Sequence, residues 1–229
     1  MKKIIALLGC FVILTSCVNE TQINNPAFQT KLNNVEWRSK ETTVKIGTNG
    51  GFEITAIRGN ETIFMKTSSR NIGTYILGTT NQEDFASYTI QGLASNRQTF
   101  STDLFPGPVF STRKLTPGNG YVNSDTALTT GGSGSGLVYR ITVNNIGGVA
   151  TDTIKARGYD YFAGDIVTIE GGNNNATFRV LNVQQSNGEI VIENTENNTI
   201  TGKFKINMVD ENGEVVTFSQ GIFYKIPLN

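Results

Sequence analysis

Short runs that alternate apolar and polar side chains recur along the chain, and glycine, asparagine and aspartate turns separate them. Nowhere is there a sustained apolar stripe of period 3.6, so helix is excluded as the main element. Val44-Lys45-Ile46 and Phe52-Glu53-Ile54-Thr55-Ala56-Ile57 alternate on either side of Asn49-Gly50-Gly51, which predicts a hairpin. Thr62 to Thr67 and Gly73 to Gly78 read as further strands. Residues 79–87 leave room for one helical turn. Near the C-terminus, Gly188 to Glu193, Ile200 to Met208, Val215 to Phe218 and Gly221 to Ile226 continue the pattern, with Asn212-Gly213 as a strong hairpin signal. The expected class is all-β: an antiparallel β-sandwich or barrel.

The middle of the chain repeats itself. Gly120-Tyr121, Asp125, Gly131-Gly132 and an alternating run from Leu137 to Val143 are followed in order by Gly158-Tyr159, Asp165, Gly171-Gly172 and Thr177 to Val183. The first pair is offset by 38 residues and the rest by 40. A two-copy repeat of this size predicts two stacked β units that bury each other's apolar faces. Gly-Ser-Gly-Ser-Gly at 132–136 is not read as a linker, because it recurs in register with Gly171-Gly172 and a strand follows it both times. The expected organisation is a host β domain from 28–105 and 184–229, with a glycine-rich β-repeat module inserted at 106–183.

Composition removes several kinds of chemistry. The chain has no histidine, so Ser-His-Asp and Cys-His nucleophile systems and His-containing zinc sites are excluded. Its two cysteines are Cys10 and Cys17. Lys2 and Lys3, the apolar stretch Ile4 to Leu14, and Thr15-Ser16 have the layout of an export signal over 1–16. The apolar stretch is too short to span a bilayer. Removing Lys2 and Lys3 leaves 17 basic against 19 acidic residues, with no excess of cations to neutralise a phosphate backbone; nucleic acid is not an expected partner. No cofactor is expected. Residues 17–27 are polar, Asn-rich and end near Pro26, and are expected to form a tether.

Leu14-Thr15-Ser16-Cys17 resembles a bacterial lipobox, which implies that Cys17 is acylated and becomes the mature N-terminus. The lipobox, Trp37, Gly73-Thr74-Tyr75, Tyr88, Ile200-Thr201-Gly202-Lys203-Phe204 and Gly221-Ile222-Phe223 together resemble an uncharacterised family of small Bacteroidota lipoproteins. The resemblance implies an outer-membrane anchor, facing the periplasm or the surface, and no known substrate. Thr130 to Gly136, Gly158-Tyr159 and Gly164 to Ile169 resemble the glycine-rich β module of phage tail and baseplate structural proteins, which interrupts the first resemblance. Asp125-Thr126-Ala127 and Asp152-Thr153-Ile154 resemble the O-glycosylation acceptor of Bacteroidota envelope proteins, which implies glycans on Thr126 and Thr153.

Other residues are weighed for binding or catalysis. Glu83-Asp84, Asp160 with Asp165, and Asp210-Glu211 are the carboxylate clusters a glycosidase would need, and turn chemistry explains them as well. Asp160, Asp165 and Asn173 to Asn175 could offer oxygens to calcium, but turn capping is the preferred reading, because Asp125 and Asp165 fall at equivalent repeat positions. The Gly-Ser run precedes a strand and no lysine follows, unlike a phosphate loop. Among the aromatics of the repeat, Tyr139, Tyr161 and Phe162 are the candidate ligand contacts, whereas Tyr121 and Tyr159 match in the two copies and fit a core. The functional expectation is a non-enzymatic binding or assembly module of the cell envelope, with a glycan or envelope protein as partner. The alternative is a carbohydrate-binding or carboxylate-based carbohydrate-active lipoprotein.

Overall fold

The computed structural model describes residues 27–92 and 96–229. The signal segment, Cys17 and all of the tether except Ala27 lie outside the described residues. The chain is all-β and antiparallel. Its strands are β1 (Ala27–Leu32), β2 (Val35–Arg38), β3 (Glu41–Ile46), β4 (Phe52–Arg58), β5 (Glu61–Lys66), β6 (Gly73–Leu77), β7 (Phe85–Gln91), β8 (Arg97–Ser101), β9 (Val109–Thr116), β10 (Ser124–Thr130), β11 (Ser135–Val143), β12 (Val149–Tyr159), β13 (Ile166–Ile169), β14 (Thr177–Val183), β15 (Asn187–Asn194), β16 (Thr199–Val209) and β17 (Val215–Pro227). Residues 79–84 make no helical turn. Asp84 is buried, accepting from the Ser68 N–H at 2.6 Å and from Asn81 Nδ2 at 2.9 Å, and these bonds hold an irregular turn instead.

The first sheet runs β2-β1-β17-β16-β8-β7-β5-β4-β3, with β15 on β16 and β6 on β15. It curls into a half-barrel, and Val44 of β3 bridges Leu228, just past the end of β17. Alternate residues face inward: Ile54, Ala56, Ile63, Met65, Tyr88, Phe204, Phe218 and Phe223 share one core with Trp37. Burying each large apolar side chain contributes about 1.5–3 kcal/mol. Gly202 and Gly221, on paired strands, each lie against a phenylalanine from the other strand. A Cβ on Gly202 would meet the Phe223 ring, and one on Gly221 would meet the Phe204 ring at 2.6 Å. Gly202 pairs with Phe223 and Phe204 with Gly221, so these two segments fit each other.

The second sheet runs β12-β11-β10-β13-β14-β9. Take β9-β10-β11 as one copy of the repeat and β12-β13-β14 as the other. Exchanging the copies turns this order into its own reverse, so the sheet has pseudo-twofold symmetry. The copies do not stack as separate units; each sends its first strand to the third strand of the other, β9 to β14 and β12 to β11. Three strands alone leave two open edges and half a core, and the exchange closes both into one nearly complete barrel around one core.

The offset is 40 residues throughout the first half of each copy. Gly118 and Gly158 have φ of 61° and 63°, and Gly120 and Asp160 have 75° and 61°. The Tyr121 N–H donates to the Gly147 carbonyl at 2.9 Å, and the Tyr161 N–H to the Gly107 carbonyl at 3.1 Å. Tyr121 therefore corresponds to Tyr161, not to Tyr159. The rings complete the exchange: Tyr161 lies under the first copy's turn, 3.2 Å from where a Cβ on Gly132 would stand, and Tyr121 under the second copy's, 2.8 Å from one on Gly172. Each tyrosine fills space that only a glycine turn leaves open.

The barrel's seam is closed by side chains. Lys114 of β9 donates to the Val149 and Ala150 carbonyls of β12 at 3.1 and 2.9 Å and pairs with Asp152 at 3.2 Å. Arg157 of β12 donates to the Val109 and Phe110 carbonyls of β9 at 2.7 and 2.8 Å. Two cations thus bind main-chain carbonyls along the seam.

The chain leaves the first sheet after β8 and returns at β15 through neighbouring segments: Ser186 Oγ donates to the Asp103 carbonyl at 2.7 Å. Replacing 106–183 with a short Gly-Ser linker is therefore expected to leave a cooperatively folding first sheet. A single sigmoidal urea transition with native-like near-UV dichroism checks this; a broad, non-cooperative transition contradicts it.

Candidate functional site

Two of the three aromatics expected at a ligand surface are in the core. Tyr139 and Tyr161 are both 0% exposed. Tyr139 stacks on Phe178 with centroids 4.9 Å apart, and its hydroxyl donates to Thr112 Oγ1 at 2.9 Å. Neither presents a face to solvent: alternation along β11 turns Tyr139 inward, and Tyr161 lies beneath the Gly132 turn. Tyr159, expected in the core, is 61% exposed, and Phe162 is 38% exposed. The left-handed backbone at Asp160 separates Tyr159 on the surface from Tyr161 inside. Tyr121 is buried, as a core residue should be. Its hydroxyl donates to the Ile169 carbonyl at 3.0 Å and accepts the Asn175 and Ala176 N–H groups, each at 2.9 Å.

Burial pushes the Tyr139 hydroxyl up to about 12, with the Asp152 carboxylate adding to the effect. Tyr88 is raised as well, by burial first and then by the Glu61 carboxylate beside it. An unfolded tyrosine titrates near 10. A folded value above the unfolded one means that stability is intact below a pH of about 10 and falls as pH rises through about 12, where the folded protein finally loses the proton. Denaturant titrations at stepped alkaline pH, followed by tyrosinate absorbance, are expected to show this loss. Tyr139→Phe is expected to reduce its slope.

The carboxylates serve local structure. Asp165 accepts from the Ser133 N–H at 3.0 Å, Ser133 Oγ at 3.1 Å and the Phe162 N–H at 2.9 Å, and so pins the Gly132-Ser133 turn to the other copy. Asp125 instead pairs with Arg140 at 2.6 Å. Asp210 is held below the usual carboxylate range by the Gln98 amide first, and then by the Glu214 and Asn212 N–H groups. Asn173 and Asn175 bond to Asn119. Among the described residues no three acidic side chains gather as a metal site.

Thr126 and Thr153 are exposed on β10 and β12, the two strands that flank β11. Thr153 stands directly opposite Arg140, which also holds Asp125, so both threonines lie near one guanidinium on the barrel's outer face.

A groove that sequence reasoning missed runs over the outer face of the first sheet. Because β6 leaves to pair with β15, β7 lies beside β5, and Thr62 pairs with Thr89 and Phe64 with Ser87. Thr89 in turn pairs with Thr99 of β8. These outward positions, with Asn60, Gln91 and Arg97 at one end, line a cavity of about 410 Å³. Past Arg97 a second cavity of about 560 Å³ continues between β8 and the turn after β16, lined by Gln98, Thr99, Asp210 and Asn212. One aromatic face thus lies among hydroxyl, amide and guanidinium groups. The polar half of each alternating run was the only signal of it in the sequence.

A search of the curated proteins and a search of the solved structures each give no match. A family model does match, over residues 24–136 and 137–227. The two segments meet inside β11, so the matched span takes in both sheets. The chain belongs to the family described as a domain of unknown function, DUF6252.

Proposed function

We propose that this chain is a non-enzymatic binding module of the cell envelope, held at the outer membrane by acylated Cys17, and that it binds a glycan along the groove over β5, β7 and β8. The groove carries the reading. Phe64 offers an apolar face for a sugar ring. Thr62, Ser87, Thr89, Gln91 and Arg97 offer hydroxyl, amide and guanidinium partners around it, and Arg97 also lines the second cavity. The carboxylates that line it, Asp210 and Glu211, flank a hairpin turn, and Asp210 spends Oδ1 on the Asn212 and Glu214 N–H groups and Oδ2 on the Gln98 and Asn212 amides. Glycans on Thr126 and Thr153 would solubilise the second sheet, which does not carry this groove.

The test is a glycan array probed with the soluble Cys17→Ser chain, then titration of each hit against Phe64→Ala and Arg97→Ala. Binding that either variant weakens at least tenfold supports the reading. Binding unaffected by both moves the site elsewhere, and turnover of a glycan contradicts a non-enzymatic role. Membrane fractionation of Cys17→Ser tests the anchor separately: the variant is expected in the soluble envelope fraction.

A further inference from the structure

The pseudo-twofold barrel contains its own comparison. In the first copy Arg140 of β11 pairs with Asp125 of β10 at 2.6 Å and faces the neutral Thr153 of β12. The corresponding strands of the other half are β14, β13 and β9. There Arg179 of β14 stands beside Ile166 of β13, which is 39% exposed, and directly opposite Arg113 of β9. Arginine has thus replaced the threonine, and Asp165, the equivalent of Asp125, is spent on the Ser133 turn, so that Ile166 stands opposite Arg179 instead of a carboxylate. Neither guanidinium forms an ion pair among the described residues. Arg113 is exposed and Arg179 half-buried, and the Arg179 Nε hydrogen is shut off from water without an acceptor. Like charges directly opposite in a ladder repel each other. The strand exchange enforces this pair, since β9 meets β14 only through it.

We infer that Arg113 and Arg179 form a recognition site for a tetrahedral oxyanion, a sulfate or phosphate group carried on a polysaccharide. Each guanidinium presents a rigid fork of donors, and two forks on neighbouring strands suit a group with three or more acceptor oxygens better than a two-oxygen carboxylate. A membrane surface is the less suitable source. Lipid-headgroup attraction needs a cluster of about four to eight cations, whereas this site has two, on a chain of formal net charge zero.

The experiment measures binding of the Cys17→Ser full chain to immobilised heparin at low salt, with inorganic sulfate and phosphate as competitors and, in a separate arm, to phosphatidylcholine vesicles with and without phosphatidic acid. Heparin binding is expected. It should fall at least tenfold in the Arg113→Ala/Arg179→Ala double variant and stay within about twofold in Arg140→Ala, the internal control. Arg113→Lys/Arg179→Lys keeps the charge, loses the forks, and should also bind weakly. Arg113 is exposed and Arg179 half-buried, and unchanged thermal melts confirm folding. No heparin binding, or equal losses in Arg140→Ala, overturns the site. Binding to acidic vesicles without heparin binding overturns the polysaccharide as its source.

Discussion

Tyr161→Ala is expected to lower the free energy of unfolding by about 3–5 kcal/mol, and Tyr159→Ala by less than about 0.5 kcal/mol. The residues are two apart and chemically identical; only their side of the barrel wall differs. Tyr161 is fully buried under the other copy's Gly132 turn, and its backbone forms both hydrogen bonds of the bridge to Gly107. Truncation leaves a ring-sized cavity lined by backbone that cannot collapse onto it. Urea titration of both variants measures the difference. Equal losses would mean that Tyr161 does not occupy the core.

Glu61→Ala is expected to cost about 3 kcal/mol. Its carboxylate accepts the Trp37 indole N–H and the Arg58 Nε and Nη2 hydrogens, Nη2 at 2.7 Å. Arg58 lies over the Trp37 ring, 5.1 Å from its centroid. Trp37 is 0% exposed, so removing the carboxylate leaves a buried indole donor and a half-buried cation unpaired. Glu61→Gln keeps an acceptor oxygen and is expected to lose about half as much. Trp37 is the only tryptophan in the chain, so its fluorescence reports the change directly: a red shift in Glu61→Ala under native conditions would show water reaching the ring. Unchanged stability and emission in Glu61→Ala contradict the role assigned to it.

Local features of the fold were legible. Asn49-Gly50-Gly51 predicts the β3–β4 hairpin, and there the Gly47 N–H donates to the Gly51 carbonyl at 2.9 Å while Asn49 caps the Gly51 N–H at 2.9 Å. Asn212-Gly213 does the same for β16–β17, with Asp210 accepting from Asn212 and Glu214. Period-2 alternation over Phe52 to Ile57 put Ile54 and Ala56 on one face of β4, and both are in the core. The repeat was legible as a repeat, but not as an exchange: nothing local tells β9 to pair with β14 rather than with β10. Tyr159 and Tyr161 were misplaced because Gly158-Tyr159 was matched to Gly120-Tyr121, whereas the true equivalent of Tyr121 is Tyr161, and the left-handed Asp160 puts the two tyrosines on opposite sides of the wall. The groove was hidden for a similar reason. Thr62, Phe64, Ser87 and Thr89 are visible as outward positions, but they become neighbours only because β6 departs to β15.

The burial of Tyr121 and Tyr161, the cationic seam and the Arg113–Arg179 pair all depend on the exchange of first strands. Inter-strand nuclear Overhauser effects on the isotope-labelled soluble chain test it most directly. Cross-strand backbone contacts are expected between Arg179 and Arg113, between Val180 and Thr112, and between Arg140 and Thr153. Backbone contacts linking β9 to β10 and β12 to β13 as paired strands, with these absent, would show two unexchanged copies and contradict the barrel described above.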